Sequence, residues 1–365
     1  MYAHSIIMAN KRIESSKQAF ILAALSEGMA INSVCRMFKV GKNAVLRVIK
    51  ETGEACEDWH NRNFRNLEVA RIELDEQWAY VHTHKERMTR EVSRDNPERG
   101  DCWLWASLDA DSKAIVNWRT GKRTIIAARE FSADLASRVP GQVQITSDQL
   151  QSYKYTIPSA FDGRADYAQE HKVFQKIKVD GPRWQTMRVS PLVGVERRRI
   201  SGSPDLRTST VCHLERFFLT MRQGNKRCAR KTLAYSKKWD NHALSASLHI
   251  FIYNMVRVHE TIKTTPAVKL GIDDKRWTLE EVVAMTAEYL KKQEEKQFAQ
   301  AFEAQAFEGF TSAPRSPRAY EPVAPLTPWY LDPESGGPNP AVKKPGIQYD
   351  VPEADPAEDH TLGTL

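Results

Sequence analysis

The sequence predicts an α/β protein, a mixed sheet flanked by helices, with an N-terminal all-α domain before it and a disordered C-terminal tail after it. Three observations predict this. Residues 69–275 alternate period-two and helical-period apolar patterns, as chains do when strands and helices form layers. Residues 10–56 carry the helical period alone. From residue 312 onward, 11 of the 18 prolines collect among acidic and small residues, a composition that buries too little apolar area to offset ordering. The expected divisions are 10–56, a connection at 57–68, the α/β domain at 69–275, a helical region at 276–310 and the tail at 311–365. No internal repeat is visible.

Composition narrows the function classes. The chain has 365 residues, 41% hydrophobic and 27% charged, enough to bury a sizeable core. No apolar run reaches the roughly 18–20 residues that span a bilayer, so no membrane partner is expected. The first residues lack the apolar run and cleavage site of a secretory signal. Cys35, Cys56, Cys102, Cys212 and Cys228 are scattered, with no C-x-x-C pair. Reduced thiols in a cytoplasmic protein are expected rather than a disulfide framework or a zinc site. Net charge is +7, unevenly placed: residues 301–365 hold 4 Lys/Arg against 10 Asp/Glu, leaving +13 on the first 300. A basic body suits a polyanion such as nucleic acid.

In the first domain, residues 17–26 place apolar side chains at 20, 21, 24 and 25. Residues 31–38 place Ile31, Val34 and Phe38 on one side. Gly41 is expected to supply a tight turn through positive φ. Residues 42–52 form a third helix with Val45, Leu46 and Ile49 inward. Helix, short helix, turn, helix is the helix-turn-helix layout. Its last helix would present Lys42, Asn43, Arg47 and Lys50 to DNA, Arg and Asn suiting base edges and Lys phosphate. A plain three-helix unit with a solvated basic face is the alternative.

The chemistry lies in three segments. Residues 71–80 alternate Ile72, Leu74, Trp78 and Tyr80 with Arg71, Glu73, Asp75 and Gln77, a strand with Asp75 on its polar side. A hairpin with a turn over 109–112, then a helix over 127–139, follow. Residues 142–148 form another strand, with Asp148 at its C-terminal end, where α/β sheets expose their sites. A helix-like stretch holds Gln151, Tyr153 and Tyr155. Residues 175–207 are basic and poorly periodic, read as a long loop. In 209–230, Val211, Leu214, Phe218 and Met221 recur at helical spacing, with Glu215 beside the stripe.

Asp75, Asp148 and Glu215, 73 and 67 residues apart, thus ride strand, strand and helix in the order of an RNase H-like fold. Each acid alone has a structural reading: strand polarity beside Glu76, a helix cap, a solvated pair with Arg216. Together they form a candidate catalytic and metal-binding triad. Three converging carboxylates raise one another's pKa unless a cation joins them. Two Mg²⁺ or Mn²⁺ ions, about 3.5–4 Å apart on such oxygens, serve in-line displacement at phosphorus.

At these residues a resemblance appears. Residues 66–78, 109–122, 145–153 and 214–222 resemble the single-frame bacterial transposases of the insertion-sequence-one family. So do 235–238, Asn241-His242, and Tyr253-Asn254-x-x-Arg257-x-His259 before Thr265-Pro266-Ala267. The resemblance spans roughly 15–285. It implies a DDE transposase acting through Asp75, Asp148 and Glu215, with divalent metal, on double-stranded DNA: transposon terminal inverted repeats and target DNA. A homo-oligomer is expected, because two ends must be joined, and the resemblance implies a bacterial, nucleoid-associated location.

Basic residues crowd behind the third acid: Arg222, Arg227, Arg230, Lys231, Lys237 and Lys238 are candidate phosphate contacts. Asn254, Arg257 and His259, placed on a helix over 243–260, are candidates for substrate positioning or for capping and core hydrogen bonds. His213 could touch phosphate or metal, though a lone histidine is more often structural. Two rivals remain: a DNA-binding regulator that keeps the fold without chemistry, and a structure-specific nuclease that cuts without joining.

Overall fold

The computed structural model describes residues 12–180 and 186–311. Helices α1 (Ser15–Ser26), α2 (Ile31–Phe38) and α3 (Lys42–Asn63) come first. Strand β1 (Arg71–Val81), helix α4 (Arg90–Asp95), strands β2 (Gly100–Asp109) and β3 (Ile115–Gly121), helix α5 (Ile125–Arg138), strand β4 (Val143–Ser147), helix α6 (Tyr153–Phe161) and strand β5 (Ala165–Phe174) follow. Then come β6 (Ile177–Asp180), β7 (Thr186–Val189), β8 (Leu192–Ser201), α7 (Cys212–Gly224), α8 (Trp239–Met255), α9 (Pro266–Leu270) and α10 (Leu279–Thr311).

The first three helices keep the expected order, with two local differences. Lys39, not Gly41, takes the left-handed conformation, at φ 51°. Gly41 is extended and caps α3 from φ −70°. In α1 the buried face is Ala19, Ile21 and Leu22, while Phe20 is 63% exposed. Helix α3 does not end near 52 but fills half of the segment expected as a connection. Ala55, Cys56 and His60 are buried, Trp59 meets Phe251 edge-on at 5.4 Å, and His60 Nε2 donates to the Ile115 carbonyl at 3.2 Å. The polar letters of 57–63 hid a helix whose inner side packs on α8 and β3. Val34, Val45 and Ile49 share one apolar cluster with Leu248 and Phe251 of α8, so this helical region is packed onto the α/β body.

Gly53 is what lets α3 and α8 approach. A Cβ there would stand 2.6 Å from the Leu244 carbonyl oxygen and 2.9 Å from its Cβ. Gly53→Ala gains about 1 kcal/mol of helix propensity, but overpacking against backbone costs roughly 1–3 kcal/mol. The substitution is expected to lower the urea unfolding midpoint.

The sheet runs β3-β2-β1-β4-β5-β8. β1, β2 and β3 are an antiparallel meander, β4 and β5 lie parallel to β1, and β8 closes the edge antiparallel to β5. This six-stranded mixed sheet flanked by helices is consistent with an RNase H-like arrangement. The β2–β3 turn forms as its Asp and Ser letters direct: Asp109 Oδ2 accepts from Ser112 N at 2.8 Å and from Ser112 Oγ at 2.5 Å.

Helices cover both faces. On one, Ile72, Leu74, Trp105 and Ile145 pack with Phe131 and Leu135 of α5 and Tyr153 and Ile157 of α6. On the other, Leu104, Ala106, Leu108 and Ile115 pack with Leu214, Phe217, Phe218 and Met221 of α7 and Ala246, Ile250 and Tyr253 of α8. The face of β1 expected to be polar is therefore not open: Glu73 and Gln77 are buried.

Three further expectations change. Residues 192–201, expected within a loop, form β8, an edge strand exposed on most of its length; its backbone pairing with β5 holds it, without the apolar alternation that marks a half-buried strand. β5 itself escaped notice for the opposite reason, because Ala165, Tyr167, Ala168 and Gln169 bury consecutive positions. Helix α8 ends at Met255, so Arg257 and His259 lie beyond it, and His259 bridges to Thr264.

Burial pushes the His242 and His249 imidazoles down to about 4. Neither ring nitrogen of His249 has a hydrogen-bond partner among the described residues. A depressed folded pKa stabilises above the unfolded value near 6.5 and is lost as pH falls toward 4. From pH 7 to pH 5 the wild type is expected to lose about 2 kcal/mol more stability than His249→Leu, read from urea unfolding at both pH values.

A second unit includes, among the described residues, 179–180, 186–189 and 298–311; β6 and β7 form a two-stranded sheet. The tail expected at 311–365 lies, past Thr311, outside the described residues. Among the described residues no helix is long and apolar enough to cross a membrane.

Candidate active site

The site starts from strand register. β1 and β4 pair in parallel with Glu73 opposite Thr146 and Leu74 opposite Ser147. One residue on, β4 ends, and Asp148 comes level with Asp75. Across the other edge of β1, Asp75 is paired with Ala106, whose side chain belongs to the apolar cluster under α7 and α8. Asp75 thus faces the helix that carries Glu215.

Carboxylate oxygens of Asp75, Glu76 and Asp148 lie within 4.8 Å of one another. Each aspartate is fixed by a local bond: Asp75 Oδ1 accepts from Glu76 N at 2.8 Å, and Asp148 Oδ1 from Leu150 N at 3.0 Å. Glu76 leaves β1 on the opposite face, beside the buried Tyr153 ring, and reaches this group where β4 has stopped. Arg123, stacked over Trp103 at 4.9 Å, donates to Glu76 Oε2 at 3.1 Å and to Asp148 Oδ2 at 3.4 Å.

Electrostatics mark the same place. Burial, then the charges of Asp148 and Glu76, push Asp75 well above the usual carboxylate range. Burial and Asp148 push Glu76 up to about 7. Burial raises Asp148, with the Leu150 N–H and Arg123 opposing. Carboxyls raised together in this way are short of cations, and hard oxygen donors so placed suit Mg²⁺ or Mn²⁺.

Glu215 is brought near but not into the group. It sits exposed in the first turn of α7 and pairs with Lys172 of β5. Its charge still contributes to raising Asp75 and Asp148. Two ties place α7. Gln144 of β4 accepts from Asp205 N at 2.9 Å and donates to the Asp205 carbonyl at 3.2 Å, setting the approach to the helix. Glu73, 2% exposed, then takes the helix start itself: its Oε2 accepts from His213 N and Leu214 N, each at 2.9 Å, and Oε1 pairs with His213 Nδ1 at 2.5 Å. An anion there also meets the positive end of the helix dipole. Burial raises Glu73, and these bonds oppose that rise. Cys212, His213 and Glu73 form a second close group, but this carboxylate is spent on the helix.

Sequence reasoning missed Glu73, Glu76, Arg123 and Lys172 as site residues. The one available signal was three acids within four residues of a strand, at 73, 75 and 76. A strand carries so many carboxylates only where they are exposed or partnered.

The basic candidates divide. Lys42, Asn43 and Lys50 are exposed and Arg47 is half-buried; Lys50 pairs with Glu54 at 3.7 Å. Arg230, Lys231, Lys237 and Lys238 are exposed, with Lys237 over the Tyr235 ring at 3.7 Å. Arg222 is half-buried, within reach of the charges of Asp75 and Glu215. Arg227 instead turns inward to Ser236 Oγ at 2.8 Å, a bond that shapes the loop. Asn254 holds Ile115 through both backbone groups, at 3.0 and 2.9 Å, and Arg257 pairs with Glu27 at 2.7 Å; neither reaches the acids.

Fold and site together define a class: an α/β protein whose mixed sheet gathers carboxylates at the C-terminal end of β4. No protein-family model matches the chain, and no curated protein matches it. Among solved structures it is similar to the Mos1 strand transfer complex, at 12% identity over 43% of this chain and 58% of that one, with a TM-score of 0.19. It is also similar to the piggyBac transposase synaptic complex with hairpin DNA, at 8% identity over 80% and 77% of the two chains, with a TM-score of 0.34. The chain spans little more than half the length of the Mos1 chain. TM-scores this low superpose too little of the two backbones to assign a family.

Proposed function

We propose that this protein is a metal-dependent DNA strand-transfer enzyme of the transposase kind, with Asp75, Asp148 and Glu215 as its catalytic and metal-holding acids. The observation that carries the reading is the register that sets Asp148 level with Asp75 on the face packed by the Glu215 helix. The motifs resembling the insertion-sequence-one family, in order along 15–285, support it.

Bound at these acids, a pair of Mg²⁺ or Mn²⁺ ions would activate the attacking oxygen and stabilise the leaving 3′-oxygen of an in-line displacement. The chain's own part is positioning and charge. Asp75 on β1 and Asp148 just past the end of β4 are held by backbone N–H groups. Arg222, within Coulombic range of Asp75 and Glu215, is placed to neutralise the reacting strand. Arg230, Lys231, Lys237 and Lys238 would carry the duplex away from the site, and Lys42, Asn43, Arg47 and Lys50 would engage transposon ends. Joining two ends calls for a homo-oligomer.

A second reading, a duplex-binding regulator without chemistry, draws on one observation: Glu215 is tied to Lys172. Lys172→Ala is expected to free Glu215 and tighten Mn²⁺ binding. The gain is up to roughly fivefold, since a half-exposed ion pair is worth no more than about 1 kcal/mol. Unchanged affinity would place Glu215 outside the ion site and favour the regulator. The enzymatic reading is tested on labelled DNA taken from both flanks of the reading frame, searched for inverted repeats, with Mg²⁺ or Mn²⁺. Joined products are expected; cleavage without joining would favour a nuclease, and protection of the DNA without cleavage a regulator.

A further inference from the structure

We propose that Glu76 is a third carboxylate ligand of the cation site at Asp75 and Asp148. The inference rests on the metal-site reading above and adds a residue to it.

Glu76 is an unlikely carboxylate to find where it is. Its side chain is fully buried, on the sheet face lined by Trp105 and Tyr153, where an ionised group without full pairing is costly. Arg123 satisfies Oε2, but among the described residues Oε1 is buried without a hydrogen bond of good geometry, as is the hydroxyl of its neighbour Tyr153. A buried acceptor left open is rare enough to call for a cause. The carboxylate lies within 4.8 Å of the ligand oxygens of Asp75 and Asp148, so the open oxygen belongs to a group that converges on one small volume.

Charge points the same way. Asp75, Glu76 and Asp148 bring three negative charges, and the Arg123 guanidinium, bonded to two of them, offsets one. The remainder matches the first divalent cation of the pair. In this geometry Lys172 holds Glu215 away from that ion. Glu76 fills the third place from the far face of the sheet, through the gap left where β4 ends one residue short of Asp148. The site is then gripped from both faces of β1: Asp75 on the side of α7, Glu76 on the side of α6.

The test is Mn²⁺ titrated into the full-length protein, followed by calorimetry and by the electron-spin signal of free Mn²⁺, with no DNA present. Wild type, Asp75→Asn, Asp148→Asn, Glu76→Gln and Glu76→Asp are compared. Glu76→Gln is expected to weaken binding by about tenfold or more. Its unfolding midpoint should hold or rise, because a buried charge is removed. Glu76→Asp, which keeps the charge for Arg123 but withdraws the oxygens by one methylene, is expected to lose affinity as well, and it answers the question if the glutamine variant does not fold. Wild-type affinity in the Glu76 variants, with binding lost in Asp75→Asn and Asp148→Asn, would overturn the role of Glu76 and leave the site standing. Wild-type affinity in all four would overturn the site itself.

Discussion

Asp75→Asn is expected to abolish DNA strand cleavage and joining while leaving DNA binding intact. Asp75 is raised by burial and then by the charges of Asp148 and Glu76. It sits where strand and helix bring the other acids together. The amide is nearly isosteric and can keep accepting from Glu76 N, so the backbone there is unchanged. What is lost is one negative charge between the oxygens that would hold the ions. Ligand loss of this kind costs several kcal/mol of transition-state stabilisation, and about 4 kcal/mol corresponds to roughly a thousandfold in rate. The measurement is single-turnover cleavage of labelled end DNA beside a gel-shift assay. Salt-dependent binding should match wild type, because the basic residues that set it are untouched. Near-normal turnover in this variant would remove Asp75 from the mechanism.

Glu73→Ala is the second large effect, and it acts on α7. Its carboxylate accepts two backbone N–H groups at 2.9 Å, and both are charge-assisted. Hydrogen bonds to a charged group are worth roughly 1.5–3 kcal/mol each, and their buried donors would be left unsatisfied. A net loss of about 3 kcal/mol is expected, read as a lower urea midpoint. Activity should fall further than stability alone explains, because the freed helix start carries Glu215 with it. Glu73→Gln, which can still accept one N–H but brings no charge to the helix dipole, should lie between. If Glu73→Ala unfolds at the wild-type midpoint, the helix is anchored elsewhere.

How much of this was legible in the letters depends on what each residue touches. Asp75 and Asp148 could be placed because their strands announce themselves: Ile72 and Leu74 in one, Val143 and Ile145 in the other, are half of a clear alternation. The β2–β3 hairpin was legible because Asp109 and Ser112 make the turn by local bonds. Glu215 was legible as a helix residue, but its pairing with Lys172 was not, because that contact depends on β5. β5 buries consecutive residues and shows no period. β8 was hidden by the reverse case, an exposed edge held by backbone alone. The far half of α3 was hidden by polar letters whose inner side, His60 and Cys56, is paid for by partners on β3 and α8. Glu73 and Glu76 read as surface charge, since a single sequence does not show that helices cover both faces of β1.

The most direct measurement is anomalous diffraction from crystals of the full chain soaked in Mn²⁺. The account predicts two peaks about 3.5–4 Å apart against Asp75 and Asp148, with Glu215 released from Lys172 and turned toward them. A Mn²⁺-saturated crystal with no peak between Asp75 and Asp148, and with the Glu215–Lys172 pair intact, would contradict it.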